Sequence, residues 1–290
     1  MLKLKWVLGA VAALAVTVNL GRAADDVYDL RGPAPVKGQT FVNKGTLKIK
    51  DADTTMKVAG QTVNLTINLV VTSEEESKVL AVDGRNVTKS QTKIIKERAD
   101  VTANLGGNDM SHTEPTALEK ETVISERDGK TWKHSLVDTK PNEKQKKELD
   151  SRNGIENDDD LYPAEKVKVG HTWKVDAAAL TKMLGNSFSD VKGKLDQKFV
   201  KVETVDGEEC AVVESTGKLT AKMKDDGEPT IDVEMELKVA TYKSLKTGVN
   251  VKEKFDGKIS LEGVQKMDDI KVDIKMSGPI SGDSTTSLKK

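Results

Sequence analysis

The sequence predicts a mainly β protein: a long-stranded antiparallel meander forming curved sheets, as a half-barrel or a sandwich, with one or two short helices. Three observations predict it. Apolar and polar residues alternate over long runs, Asp-Gly and related pairs punctuate those runs, and helical periodicity is confined to two short segments.

The first element is an address. Lys3 and Lys5 precede Trp6 to Leu20, an almost wholly apolar run of 15 residues, shorter than the roughly 20 residues a membrane span needs. Gly21-Arg22-Ala23 places small residues at −3 and −1 of a cut after Ala23, so residues 1–23 read as a signal peptide. A single-pass N-terminal anchor or a buried helix is the alternative, opposed by Asn19, Gly21 and Arg22, which end the run early. No cysteine follows the run, so no lipid attachment is expected there. Removing Lys3, Lys5 and Arg22 takes the 46 bases to 43 against 47 acids, a net charge of −4. The processed chain is expected to be exported, periplasmic or extracellular, and without a membrane span.

Strands come next. Val63, Leu65, Ile67, Leu69 and Val71 alternate with Asn64, Thr66, Asn68 and Val70. Ile231, Val233, Met235, Leu237 and Val239 alternate with Asp232, Glu234, Glu236 and Lys238, and Ile270, Val272, Ile274 and Met276 with Lys271, Asp273 and Lys275. Weaker versions run through Leu47 to Val58, Val79 to Ile95, Leu195 to Val205, Cys210 to Met223 and Val249 to Leu261. One apolar face and one charged face belong to antiparallel sheet with a wet side.

Asp83-Gly84, Asp128-Gly129, Asp206-Gly207, Asp226-Gly227, Thr247-Gly248 and Asp256-Gly257 read mostly as hairpin-type turns. In the C-terminal half they leave strands of up to 15 residues, far beyond the usual five or six. Twist accumulates along such strands, so the sheet must coil and bend. About a dozen strands are expected.

Two segments are helical. Asp176 is placed to cap Ala177 to Leu184, with Gly185 as the stop, and Leu180, Met183 and Leu184 share a face that plugs an open end of the sheet. Pro141 to Arg152 has Leu149 as its only large apolar residue and reads as a solvated connector, followed by an acidic loop from Asn153 to Asp160. The expected organisation is an N-terminal β half over 24–140, a helical and acidic connector over 141–161 and a C-terminal β half over 162–290.

A short motif stands on both sides of that connector. Gly38-Gln39-Thr40-Phe41 and Gly170-His171-Thr172-Trp173 lie 132 residues apart, each after a proline and a Val-Lys pair, and Gly129-Lys130-Thr131-Trp132 follows a turn. Either the first two open two related halves, or turn, threonine and aromatic residue are simply a common way to begin a strand. Pro163, Val167-Lys168-Val169 and Gly170-His171-Thr172-Trp173 together resemble a segment of uncharacterised exported bacterial β-proteins, a family of unknown function in which an acidic residue usually occupies the place of His171. The resemblance implies export and a long meander over most of the chain, and implies no activity.

Candidate chemistry is sparse. The histidines are His112, His134 and His171, with no local spacing that suits a metal or a catalytic triad, and G-x-S-x-G is absent. Asp158-Asp159-Asp160, with Glu156 and Asn157, is the best local cation candidate. It lacks the alternate spacing of a calcium loop and reads as a solvated acidic loop. Cys210 sits in an apolar run and reads as a buried inert thiol; a lone cysteine excludes an intramolecular disulfide. No phosphate-binding or CxxC motif occurs, so no cofactor is expected. Nearly balanced charge gives no support for a nucleic-acid partner. Nine aromatics in the processed chain are too few for stacking platforms or for the girdles of an outer-membrane barrel.

These readings converge on an exported, non-enzymatic binding or structural module of the envelope or periplasm, whose partner is an apolar ligand or another envelope protein. Three alternatives stay beside it. The first is a carrier holding a lipid or other apolar ligand on a concave sheet face, as carriers of envelope lipoproteins do. The second is a hydrolase with a site assembled across strands. The third is an assembly or adhesion module using exposed strand edges.

Overall fold

Alternation becomes strand in each of the runs named above, and the strands extend further than their apolar cores. The computed structural model describes residues 26–129, 131–184, 187–225, 228–267 and 270–289; residues 1–23, including the expected cut after Ala23, lie outside the described residues. In the N-terminal half, β1 is Val27–Tyr28, β2 Thr40–Val58, β3 Gln61–Asp83, β4 Asn86–Leu105, β5 Asn108–Pro115, β6 Thr122–Asp128 and β7 Thr131–Leu136. Helix α1 (Glu143–Ser151) and a single helical turn (Asp159–Leu161) lead to β8 (Val167–Lys168), β9 (Thr172–Val175) and helix α2 (Ala177–Leu184). Five long strands complete the chain: β10 Phe188–Val205, β11 Glu208–Asp225, β12 Glu228–Ser244, β13 Asn250–Met267 and β14 Ile270–Leu288.

All pairings are antiparallel. One sheet of 12 strands runs in the order β7-β6-β4-β3-β2-β14-β13-β12-β11-β10-β9, with β5 also paired to β4, while β1 and β8 form a separate pair. The sheet is open. Its two halves are joined by β14 against β2, where Ile280 faces Ile49 and Gly282 faces Leu47. The N-terminal and C-terminal strands therefore share one sheet.

Register rows explain the curvature. One row crosses Leu195, Gly217, Leu237, Gly257, Ile280, Ile49 and Leu69 on the inner face. Large residues alternate with glycine in its C-terminal part, and the glycines sit where backbones crowd. A Cβ on Gly217 would stand 2.2 Å from the Lys194 carbonyl oxygen, and one on Gly257 2.0 Å from that of Glu236. Asp256-Gly257 is thus not the turn its sequence suggests: Gly257 lies in the middle of β13, where the strand must bend. Bulges between Ile49 and Ala52 and between Ser189 and Lys192 sharpen the twist further.

The inner face carries the main core, including Leu47, Ile49, Leu69, Phe199, Ile259 and Met276, and the outer face is charged. Along β12, buried Ile231, Val233, Met235 and Leu237 alternate with exposed Asp232, Glu234, Glu236 and Lys238. Helix α2 forms over the expected residues. Asp176 Oδ1 accepts from the backbone N–H groups of Ala178 and Ala179, and buried Leu180 joins the core; Gly185 lies outside the described residues.

Helix α1 corrects the sequence reading. It is solvated on one side only: Glu143, Lys144, Lys146, Lys147 and Asp150 are exposed, but Leu149 packs with Ile94, Leu118, Val123 and Leu136, and Glu148 Oε2 accepts from the backbone N–H of Leu118 at 3.1 Å. Asn142 caps it reciprocally with Gln145. One leucine suffices because Ile94, Leu118, Val123 and Leu136 from other elements supply the rest of that small core.

Candidate functional site

A cavity of about 460 Å³ lies on the inner face, between the sheet, α2 and the segment that follows α1. Its apolar end is built from Leu180 and Leu184 of α2, Phe188 and Leu195 of β10, Leu219 of β11 and Met235 of β12. Its polar end is one or two register rows away along the same strands. There Gln197, Ser215, Thr241 and Glu253 line the C-terminal wall, and Ser77, Thr92 and Glu97 the N-terminal wall.

Strand parity puts these polar groups inside. Gln197 lies between Leu195 and Phe199 in the inward register, Thr241 and Lys243 continue the inward positions of Leu237 and Val239, and Glu253 precedes inward Phe255. All share the parity of core residues and are forced off the wet face.

Two charge clusters close the polar end. Lys243, only 2% exposed, donates from Nζ to Asp158 Oδ2 at 2.6 Å and lies 4.4 Å above the Tyr162 ring. Glu253 accepts from Asn250 Nδ2 at 3.2 Å and Thr241 Oγ1 at 3.4 Å. Burial and the neighbouring Asp158 push the Glu253 carboxyl above its ordinary pKa, against the opposing pull of Lys243. Burial likewise raises the Tyr162 phenol, with Asp158 and Glu253 adding to it. In the second cluster Arg152 reaches Glu97 at 2.9 Å and Glu75 at 3.3 Å. Burial opposes the charge of Arg152, yet Glu97 and Glu75 outweigh it and hold the guanidinium pKa above its usual value.

The segment from Arg152 to Tyr162 crosses the inner face as a strap, and the three aspartates pin it. Asp158 binds Lys243, Asp159 binds Arg85 of the β3–β4 turn, and Asp160 binds Lys182 of α2 at 3.2 Å. Arg85 Nη2 donates to Asp159 Oδ1 at 2.8 Å, and the same guanidinium reaches the carbonyls of Gly32 and Arg31. Glu156 accepts from both Arg127 and the Trp132 indole. The acidic loop is therefore tied down at half-buried positions, not free in solvent as its composition suggests, with Asn153 and Asp160 still exposed. Each aspartate points to a different cation on a different element, so they do not converge on a cation, and no metal-binding cluster exists among the described residues.

The two motif copies share one local structure. Gly38 and Gly170 both have φ of +93°. Gly38 N–H donates to Val79 O and Gly170 N–H to Phe199 O, while Val79 and Phe199 donate back to Gln39 O and His171 O. Gln39 N–H reaches Val36 O, and His171 N–H reaches Lys168 O. Thr40-Phe41 then opens β2 and Thr172-Trp173 opens β9. The Thr131-Trp132 copy differs, following an Asp128-Gly129 hairpin turn in which Asp128 faces Thr131. Trp173 is half-buried against the core and donates from Nε1 to Leu161 O at 2.8 Å. None of Gly38, Thr40, Phe41, Gly170, Thr172 and Trp173 lines the cavity; they hold strand starts.

The histidines do not meet. His112 is exposed on β5, His134 pairs with Ser125 Oγ at 2.9 Å, and His171 stacks on Trp173. None lines the cavity. Cys210 is buried with Val212, Ala240 and Tyr242, and burial raises its thiol pKa to about 11.

No family model matches the chain. No curated protein matches it either. Among solved structures, an outer membrane channel from Pseudomonas putida F1 aligns over 89% of this chain and 98% of its own, at 8% identity and a TM-score of 0.27. The outer membrane protein OprG from Pseudomonas aeruginosa aligns over 89% and 99%, at 10% identity and a TM-score of 0.20. A DUF1329 family protein from Desulfovibrio piger aligns over 87% and 85%, at 11% identity and a TM-score of 0.10. At these scores the likeness carries no argument about function. Among the described residues no helix is long and apolar enough to cross a membrane.

Proposed function

We propose that this is an exported, non-catalytic envelope or periplasmic β-protein that carries an amphipathic, mostly apolar small molecule on the inner face of its sheet. The observation that carries the reading is the cavity itself. A curved sheet built only as a scaffold would fill its concave side with its own side chains, whereas here about 460 Å³ is left between α2, β10–β13 and the strap. That volume falls in the range of small-molecule sites, which are apolar with a few placed polar groups. The charged n-region, the apolar run and the small residues that would allow a cut after Ala23 support export, as does the resemblance of the Pro163 to Trp173 segment to exported bacterial β-proteins.

Two measurements on the purified protein test this. Organic extraction followed by mass spectrometry is expected to release an amphiphile, and the uncharged anilinonaphthalene fluorophore N-phenyl-1-naphthylamine is expected to bind with one site per chain. Leu184→Trp, which places an indole at the apolar end, should weaken the fluorophore without lowering the melting temperature. Empty extracts together with no saturable fluorophore binding would leave only a structural role.

A further inference from the structure

The chemistry of the polar end restricts what is carried, and the argument rests on the carrier reading above. Gln197 is 7% exposed and lines the cavity, yet its Oε1 has no hydrogen-bond partner. An unmade bond at a buried acceptor is costly, so a ligand that supplies a donor gains what the folded chain forgoes. Gln197 is one strand from Ser215 in the same register row, and Glu253 lies in the adjacent row three strands away on β13, across the curved inner face.

Charge points the same way. Six charged residues line the cavity: Glu74, Glu75, Glu97 and Glu253 against Lys96 and Arg152. The acids outnumber the bases by four to two. Arg152 is held between Glu97 and Glu75; Lys96 stands across from Glu74 in the β3–β4 register, although the Glu74 carboxylate is itself paired with Lys44. Glu253 differs from the other acids. Its partners are neutral (Asn250, Thr241 and Ser284), and the nearby Lys243 donates to Asp158 instead. It forms no ion pair among the described residues. A buried carboxyl whose nearest cation is already bonded to another acid is at high free energy when charged, and a cation delivered by the ligand relieves it.

We propose that the molecule carried has a positively charged, hydrogen-bond-donating head, an ammonium on an aliphatic chain, seated at the polar end between Gln197 and Glu253. The aliphatic part lies toward Leu180, Leu195, Leu219 and Met235. An anionic head meets four acids against two bases there, and a neutral alcohol satisfies Gln197 without compensating Glu253.

Dodecylamine, dodecanol and dodecanoate, each below its micelle concentration, are titrated against the bound anilinonaphthalene fluorophore. The amine is expected to displace it at a concentration about tenfold lower than the alcohol, with the carboxylate weakest. Glu253→Gln and Gln197→Met should each erode the preference for the amine, and Glu234→Gln on the outer face should keep it, which separates the site from general attraction to an acidic surface. A carboxylate that displaces as well as the amine, or equal displacement by all three, overturns the proposal while leaving the carrier reading intact. If the fluorophore itself never binds, the carrier reading fails and this inference with it.

Discussion

Gly154 lies flat against the indole of Trp132. A Cβ at position 154 would stand 2.4 Å from two ring atoms, nearer than any real contact. The glycine is in the strap and the indole on β7, where Val79 and Val87 pack against it. Adjacent Glu156 accepts from the indole N–H. The strap is thereby seated on the sheet.

Gly154→Ala is therefore expected to cost about 1–3 kcal/mol, because neither the ring nor the strap has room to yield. Thermal or urea unfolding measures the loss. Limited proteolysis should also show earlier cleavage between residues 152 and 162, and unchanged protection there would show that the close approach is not what holds the strap.

The Arg85–Asp159 pair should appear in the pH dependence of stability. Burial works against the Asp159 charge, but the hydrogen bonds from Arg85 and Asn157 and the attraction of Arg85 prevail and hold the carboxyl below its ordinary pKa. The stability it contributes is present above the ordinary carboxylate value and is lost as pH falls through the lower native value. Asp159→Asn should cost about 1.5–3 kcal/mol at neutral pH, with the difference from wild type shrinking below about pH 4. A difference independent of pH would assign the loss to packing.

Glu253 has the opposite sign. Its native carboxyl keeps its proton to higher pH than in the unfolded chain, so the native state binds more protons over that window and stability falls as pH rises through it. Glu253→Gln removes the charge that must be buried. The variant should melt above wild type at neutral to alkaline pH, with the gain fading toward the ordinary carboxylate range. A variant that melts lower throughout would show that Lys243 needs this carboxylate.

Gly38→Ala and Gly170→Ala form a matched pair. Both glycines have φ of +93° with open space around the missing Cβ, so only backbone strain is added, about 1–2 kcal/mol each. Equal losses in two separate melts are expected. A marked inequality would mean that the shared hydrogen-bond pattern hides different local stabilities.

The sheet was largely legible in the sequence, because alternation along β3, β12 and β14 is imposed by the requirement that one face be dry. Helix α2 was legible for the same kind of local reason, an Asp176 cap and apolar residues on one face. The polar end of the cavity was encoded more quietly. Gln197, Thr241, Lys243 and Glu253 are polar residues in the inward register, visible as breaks in the apolar rhythm, but nothing local says that a distant Asp158 or Tyr162 will meet them. The role of the three aspartates was hidden for that reason too: their cations, Lys243, Arg85 and Lys182, come from three separate elements. Gly257 misled because Asp-Gly is the commonest hairpin signal, and only the backbone pressing on it from β12 reveals a bend instead.

The seam between β2 and β14 sets the order of assembly. Phe41 pairs with Leu288, so one of the longest-range pairings in the chain joins its first long strand to its last. Closing so large a loop makes this join slow. Until it forms, each half presents a long bare edge of backbone donors and acceptors, the kind of surface that recruits other chains. A chain that has not yet brought residue 288 to residue 41 carries two unfinished sheets, and guarding their edges until they meet is a demand that the topology places on the compartment where this protein folds.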